Sequence, residues 1–188
     1  MDESINGEVT LLLRQFRTRD GATAARLLEL IYPVLKRRAR SQIGRERPGH
    51  LLQPTALVNE AYLRLVAHEE HNWVNRHHFY AAAATAMRRI LIDHARAQNS
   101  QKREGEQIVI SLDEADALTE QPSVDLLDLD IALSELEKVS PRQAKVVELR
   151  YFGGCNIPEI ARMLHMNTRS VDRDWAAARA WLRQRLKG

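Results

Sequence analysis

The sequence predicts an all-α protein of two helical domains joined by a flexible acidic linker. Apolar residues recur at spacings of three and four along most of the 188 residues, the period of a helix with one buried face. Strand signals are nearly absent, and the one β-like run is Ile108-Val109-Ile110. Charge divides the chain into three blocks. Residues 1–97 hold 15 Lys and Arg against 10 Asp and Glu (+5), residues 98–128 hold 2 against 8 (−6), and residues 129–188 hold 11 against 7 (+4). Basic blocks suit nucleic acid, whereas an acidic spacer does not bind it. The expected boundaries are therefore 8–97 for the first domain, 98–128 for the linker and 129–188 for the second domain.

Composition narrows the function classes. With 44% hydrophobic and 28% charged residues, the chain reads as soluble and globular. No apolar run approaches the ~18 residues that a membrane helix needs. The start, Met1-Asp2-Glu3-Ser4, lacks the basic and apolar segments of a signal peptide. The single cysteine, Cys155, excludes an internal disulfide framework and a multi-cysteine zinc site, and fits a reducing cytosol.

In chain order, residues 8–18 predict a short helix with Val9, Leu12, Leu13 and Phe16 on one side, broken at Asp20-Gly21. A long helix over about 22–43 buries Leu27, Leu30, Ile31, Val34 and Leu35, with a kink or junction at Pro33. Its basic end, Lys36 to Arg40, complements a helix C-terminus and reads as a solvated face. After the Pro48-Gly49 loop, Pro54 takes the first position of a helix to about Ala67. Leu57, Ala61 and Leu65 form its stripe, and Glu60 and Arg64 an i,i+4 pair. The polar loop His68 to His78 holds four of the seven histidines and Trp73. Asn75 then caps a helix from Arg76 to about Gln98, with Phe79, Ala83, Ala86, Ile90 and Leu91 inward.

The linker contains Gly105 and Pro122 and little periodicity. Helix resumes over 128–138 with Ile131, Leu133 and Leu136. Ser140-Pro141-Arg142-Gln143 reads as a capping box with proline at the first helical position, and this helix stops at Gly153-Gly154. Asn156-Ile157-Pro158-Glu159 opens a short helix ending near Leu164 with a similar box. The last helix, about Thr168 to Leu186, carries the stripe Val171, Trp175, Ala178, Leu182 and Leu186. Two short-linked helices, the second long and basic, form the helix-turn-helix pattern. Its turn holds His165 where glycine is usual, a residue that enters the left-handed region more readily than most.

This arrangement resembles the extracytoplasmic-function (ECF) type of bacterial sigma factor, a reduced member of the sigma-70 family with only the second and fourth conserved regions. The resemblance runs over about residues 8–187, and three stretches carry it: Ala56 to Leu65, Phe79 to Arg96 (ending Met87-Arg88-Arg89-Ile90-Leu91-Ile92-Asp93-His94-Ala95-Arg96), and the helix-turn-helix Ile157 to Arg179. Leu52 to Leu57 and Asp174-Trp175 through Ala180-Trp181-Leu182 are similar to an ECF-like subgroup. Two departures stand out. Gln53-Pro54-Thr55 replaces the acidic residue of many members. Asp172 and Asp174 lie on the recognition helix where basic residues are frequent; carboxylates repel phosphate but can accept from a cytosine amino group.

The resemblance implies core RNA polymerase and promoter DNA as partners, admits an anti-sigma factor, and implies a cytoplasmic, non-enzymatic protein with no cofactor and no membrane insertion. Asn59, Glu60 and Arg64 would dock on polymerase. Asn72, Trp73, Asn75, Arg76 and His77 would read the melted −10 strand, with Arg88, Arg89 and Arg96 on its phosphates or in solvent, since unpaired bases are held by pockets and stacking. Arg169, Ser170 and Arg173 would enter the major groove at the −35 element, with Arg179 and Arg183 facing backbone phosphate or solvent. The acidic linker would thread through polymerase near the RNA exit path, so neutralising Asp113, Glu114 and Asp116 would alter initiation or promoter escape.

Two other readings compete. A stand-alone helix-turn-helix regulator would bind duplex DNA without polymerase. A metal hydrolase could use His71, His77, His78, Asp93 and His94. Yet Asp93-His94 lies ~15 positions along one helix from His77-His78, about 23 Å by helix rise, too far to share an ion.

Overall fold

A computed structural model describes residues 3–16, 21–43, 52–67, 73, 75–101, 109–110 and 124–186. The described residues are almost entirely helical. In order they form α1 (Glu3–Gln15), α2 (Gly21–Ile43), α3 (Pro54–Ala67), α4 (Arg76–Gln101), a strand pair β1 (Val109–Ile110) and β2 (Val124–Asp125), α5 (Leu126–Val139), α6 (Pro141–Val147), a π-helical turn Glu148–Phe152, α7 (Ile157–Met163) and α8 (Thr168–Leu186). The all-α expectation therefore holds, with one small addition. The β-like run pairs antiparallel with the segment before α5, Val109 opposite Asp125 and Ile110 opposite Val124. Most of the expected linker, including Asp113, Glu114 and Asp116, lies outside the described residues.

Helices α1 to α4 pack through Val9, Leu13, Leu27, Ile31, Leu35, Leu57, Ala61, Phe79, Met87 and Ile90, all buried. Pro33 sits inside α2, which runs through it. Helices α5, α6 and α8 bury Leu129, Leu133, Leu136, Val147, Ala178 and Leu182. These two sets share one core. Buried Phe152, from the π turn, belongs to it, and the π turn packs against both α4 and α2.

Helix ends show where local rules held. Asn75 caps α4, its side chain accepting from the His78 N–H at 3.0 Å. The Asn156 box is complete: its side chain accepts from the Glu159 N–H, and Glu159 accepts from the Asn156 N–H. The Ser140 box does not form. The Ser140 N–H is already donated to the Leu136 carbonyl at 2.7 Å as the end of α5, so a shared residue leaves Gln143 no donor to reach back to. Helix α5 starts earlier than the sequence suggested because Asp125 caps it, accepting from the Leu127 N–H. At the other tight turn His165 has φ 53°. The Met166 N–H donates to the Ala161 carbonyl across it at 2.8 Å, the six-to-one bond of a Schellman ending, with histidine at the position glycine usually fills.

Candidate nucleic-acid interface

The recognition-helix residues are placed by the stripe beneath them. With Val171, Ala178 and Leu182 turned inward, Arg169 and Arg173 face solvent near the start of α8. Asn167 accepts from the Ser170 N–H at 2.8 Å, capping this helix and leaving Ser170 half-buried. Arg179 is half-buried, its guanidinium 5.7 Å from the Trp175 ring centroid. The two acidic residues of the helix part company. Asp172 is exposed, but Asp174 is 2% exposed and takes two hydrogen bonds from Arg142, 2.7 and 2.9 Å. The expectation that Asp174 could read a base is therefore corrected: this carboxylate ties α6 to α8.

On α4 the picture is different. Trp73 is half-buried and packs edge-on against His78 and Phe79, ring centroids 5.4 and 5.3 Å apart. Arg76 and His77 are half-buried, and Arg89 is exposed. Asn75 spends its side chain on the helix cap, and Asn72 lies outside the described residues. Arg88, expected on phosphate or in solvent, is not solvated in the free chain. Its side chain is 13% exposed, 2.6 Å from Asp130 and 3.4 Å from Glu148. The pairing is a consequence of where α4 runs. Buried side chains occur nearly all round it, among them Ala83, Ala84, Met87, Leu91, Ile92 and Ala95, so it is covered on more than one side.

Glu148 opens the π turn and is 7% exposed. Burial works against its charge, but Lys145, the Thr85 hydroxyl and Arg88 outweigh that and hold its pKa below the usual carboxylate range. Thr85 donates to it at 2.7 Å. Arg38 is the second surprise. Expected on a solvated basic face, it is 6% exposed, over the Tyr80 ring at 4.5 Å. It donates to Cys155 Sγ at 3.2 Å and to Glu159 at 3.4 Å. Asp130, Glu148, Glu159 and Arg142 were not legible as partners, because each pairs with a residue at least 32 positions away. The local hint was charge at apolar spacing, Arg38 after Val34 and Leu35, and Asp174 between Val171 and Ala178.

Between α4 and the helix-turn-helix lies an open cleft of about 820 Å³ lined by His77, Arg162, His165, Met166, Asn167 and Thr168, among others. Burial comes first in depressing the His77 pKa, followed by the charges of Arg76, Arg162 and His165; Glu159 opposes them. On α3 the expected polymerase-facing residues form a polar surface. Asn59 is exposed, and Arg64 bridges Glu60 at 2.8 Å and Asp93 at 3.1 Å. Exposed Leu63 stands beside them.

Comparison with known families gives a match to ECF sigma factor over residues 6–188. No curated protein matches the chain significantly. No helix among the described residues is long and apolar enough to cross a membrane.

Proposed function

The chain belongs to the ECF sigma factor family, a family of transcription initiation factors that direct RNA polymerase, and from that premise we propose how its own residues divide the work. Residues 129–188 bind the −35 element through Arg169, Ser170 and Arg173, with Arg179 toward the backbone. Residues 8–97 dock on polymerase through Asn59, Glu60 and Arg64. They capture the melted −10 strand with Asn72, Trp73, Arg76, His77 and Arg89, once Arg88 is also released to it. The setting is the cytoplasm, where polymerase and promoters are, and an anti-sigma factor is a further partner this reading admits.

The observation that carries the proposal is the exposure of Arg169 and Arg173 at the start of a capped helix in a chain of this family. Arginine there can reach guanine O6 and N7 bidentately, and N-terminal residues of a recognition helix are those that meet base edges. Asn75 fits as the residue that orients the −10 loop through its cap, not as a direct contact. The test is run-off transcription with core polymerase on a genomic promoter library. Products that need both polymerase and this protein are expected. Specific duplex binding by the free protein, with no polymerase-dependent product, would instead establish a stand-alone regulator.

A further inference from the structure

From the packing of α4 against α5 and the π turn we infer that the protein masks its own nucleic-acid surface: Asp130 and Glu148 occupy the guanidinium of Arg88 as phosphates would, so closure of the two helical sets and strand capture by α4 exclude each other. Arg88 Nε and Nη2 both donate to Asp130 Oδ1, at 2.9 and 2.6 Å, Nη2 also donates to Ser134 Oγ, and Nη1 donates to Glu148 Oε2 at 3.4 Å. Arg96, farther along the same helix, reaches Asp130 Oδ2 at 3.5 Å. Asp130 takes two guanidinium donors on one oxygen, a charge-assisted contact of the chemical kind that arginine also makes to phosphate oxygens. Lys145 of α6 also holds Glu148 from its own side, and the Thr85 hydroxyl of α4 adds a bond across the same contact.

The contact is built to exchange. A buried ion pair contributes little net stability, because the desolvation of both charges offsets their attraction. A second set of anions can therefore replace the first without great loss. Removing only the carboxylates is different, since it leaves a largely buried guanidinium with neutral acceptors alone, the Asp130 carbonyl and Ser134 Oγ. A second point of closure lies on α2, where Arg38 holds Cys155 and Glu159, and a third at Gly153, against Ala84 of α4. The nucleic-acid half of this inference rests on the proposed role of α4; the closure itself does not.

Cys155 supplies the reporter. It is 2% exposed and lies against Arg38 of α2 and in the same apolar cluster as Ala84 of α4, so opening uncovers it. In the full chain, without polymerase, Asp130→Asn with Glu148→Gln is expected to raise the rate of Cys155 modification by an aromatic disulfide reagent about tenfold or more, with helical circular dichroism unchanged. The same variant is expected to bind a short fluorescein-labelled single-stranded DNA severalfold more tightly, a gain lost when Arg88→Gln is added. An unchanged thiol rate at intact helicity overturns the inference, as does a faster rate with no gain in DNA affinity. Should the double variant lose helicity, Asp130→Asn alone decides: it removes the carboxylate facing Arg88 and Arg96 and leaves Glu148 with Lys145, so the thiol rate must still rise, and an unchanged rate at intact helicity overturns closure by ion pairs. Run-off transcription tests the functional proposal separately, since it can succeed with an unchanged thiol rate or fail with a raised one.

Discussion

Two basic helices, α4 and α8, meet opposite fates in one chain. Helix α8 lies on the outside with one apolar stripe, so Arg169 and Arg173 point to solvent. Helix α4 is covered on more than one side, and its Arg88 is held by carboxylates. The difference teaches that a count of arginines does not locate a nucleic-acid surface. The position of the helix in the packing decides which positive charges are available and which are already neutralised.

The sharpest test of this contrast is to remove arginines from each helix. Arg169→Ala or Arg173→Ala should each cost about 1–3 kcal/mol of base discrimination, a fall of roughly fivefold to a hundredfold in run-off transcription from promoters with a −35 element. Folding stability should not move, because both side chains are exposed. Arg88→Gln should behave in the opposite manner. It leaves Glu148 and Asp130 with less compensation, so the urea midpoint of the free protein should fall, alongside any effect on transcription. Equal stability effects at the three positions would remove the distinction between the helices.

The contact that covers α4 can also be broken without touching a charge. Gly153 has an ordinary φ of −86°, so an alanine there suffers no backbone strain. Its Cβ would, however, lie 2.5 Å from the Leu149 carbonyl oxygen and 3.0 Å from Ala84 Cβ. Gly153→Ala should therefore destabilise by about 1–3 kcal/mol, as overpacking does, read from urea denaturation. Adding Ala84→Gly should recover only part of this, because the Leu149 carbonyl stays where it was. Full recovery would mean that the contact with α4 sets the whole cost.

What the sequence made legible follows the same divide between local and distant causes. The stripe of α8, the Asn75 and Asn156 caps, the Glu60–Arg64 pair and the left-handed His165 rest on residues within four positions of one another, and each is present. The Ser140 box failed because its donor was already used by the preceding helix, a conflict that lies one turn upstream. Arg38 stands three and four positions from Leu35 and Val34, and Asp174 the same from Val171 and Ala178, so the period places both on the buried stripe and only their charge argued for solvent; each is buried on a distant partner, Glu159 or Arg142. Arg88 lies opposite the stripe of α4, and periodicity does not show that another helix packs on that side. The continuation of α4 to Gln101, the strand pair and the early start of α5 show the expected linker borders to be structured, as composition alone did not suggest.

His165 offers a smaller effect on the α8 side. A non-glycine residue in the left-handed region costs roughly 1–2 kcal/mol, partly offset by the extra chain entropy that glycine loses on folding. His165→Gly should accordingly stabilise the protein by up to about 1 kcal/mol, seen as a higher urea midpoint. A lower midpoint would mean that the imidazole contributes packing that outweighs the relief of strain.

The smallest effect is a pH response at the cleft where the two basic helices approach. His77 on α4 faces Arg162 and His165 from the helix-turn-helix, with Arg76 beside it and Glu159 opposing. In the closed form burial and these cations lower its pKa from the ordinary 6.5; in an open form that depression is relieved. The closed form then binds fewer protons, so its advantage is fully present above the ordinary value and is lost as pH falls through 6.5 toward the depressed one. Closure should thus loosen on mild acidification. Thiol modification of Cys155 reads it if the wild-type rate is divided by that of His77→Gln at each pH, which cancels the changing thiolate fraction. The ratio should rise below pH 6.5 and stay level above it. A ratio that is level throughout would show that α4 and the helix-turn-helix meet at this end without sensing each other's charge.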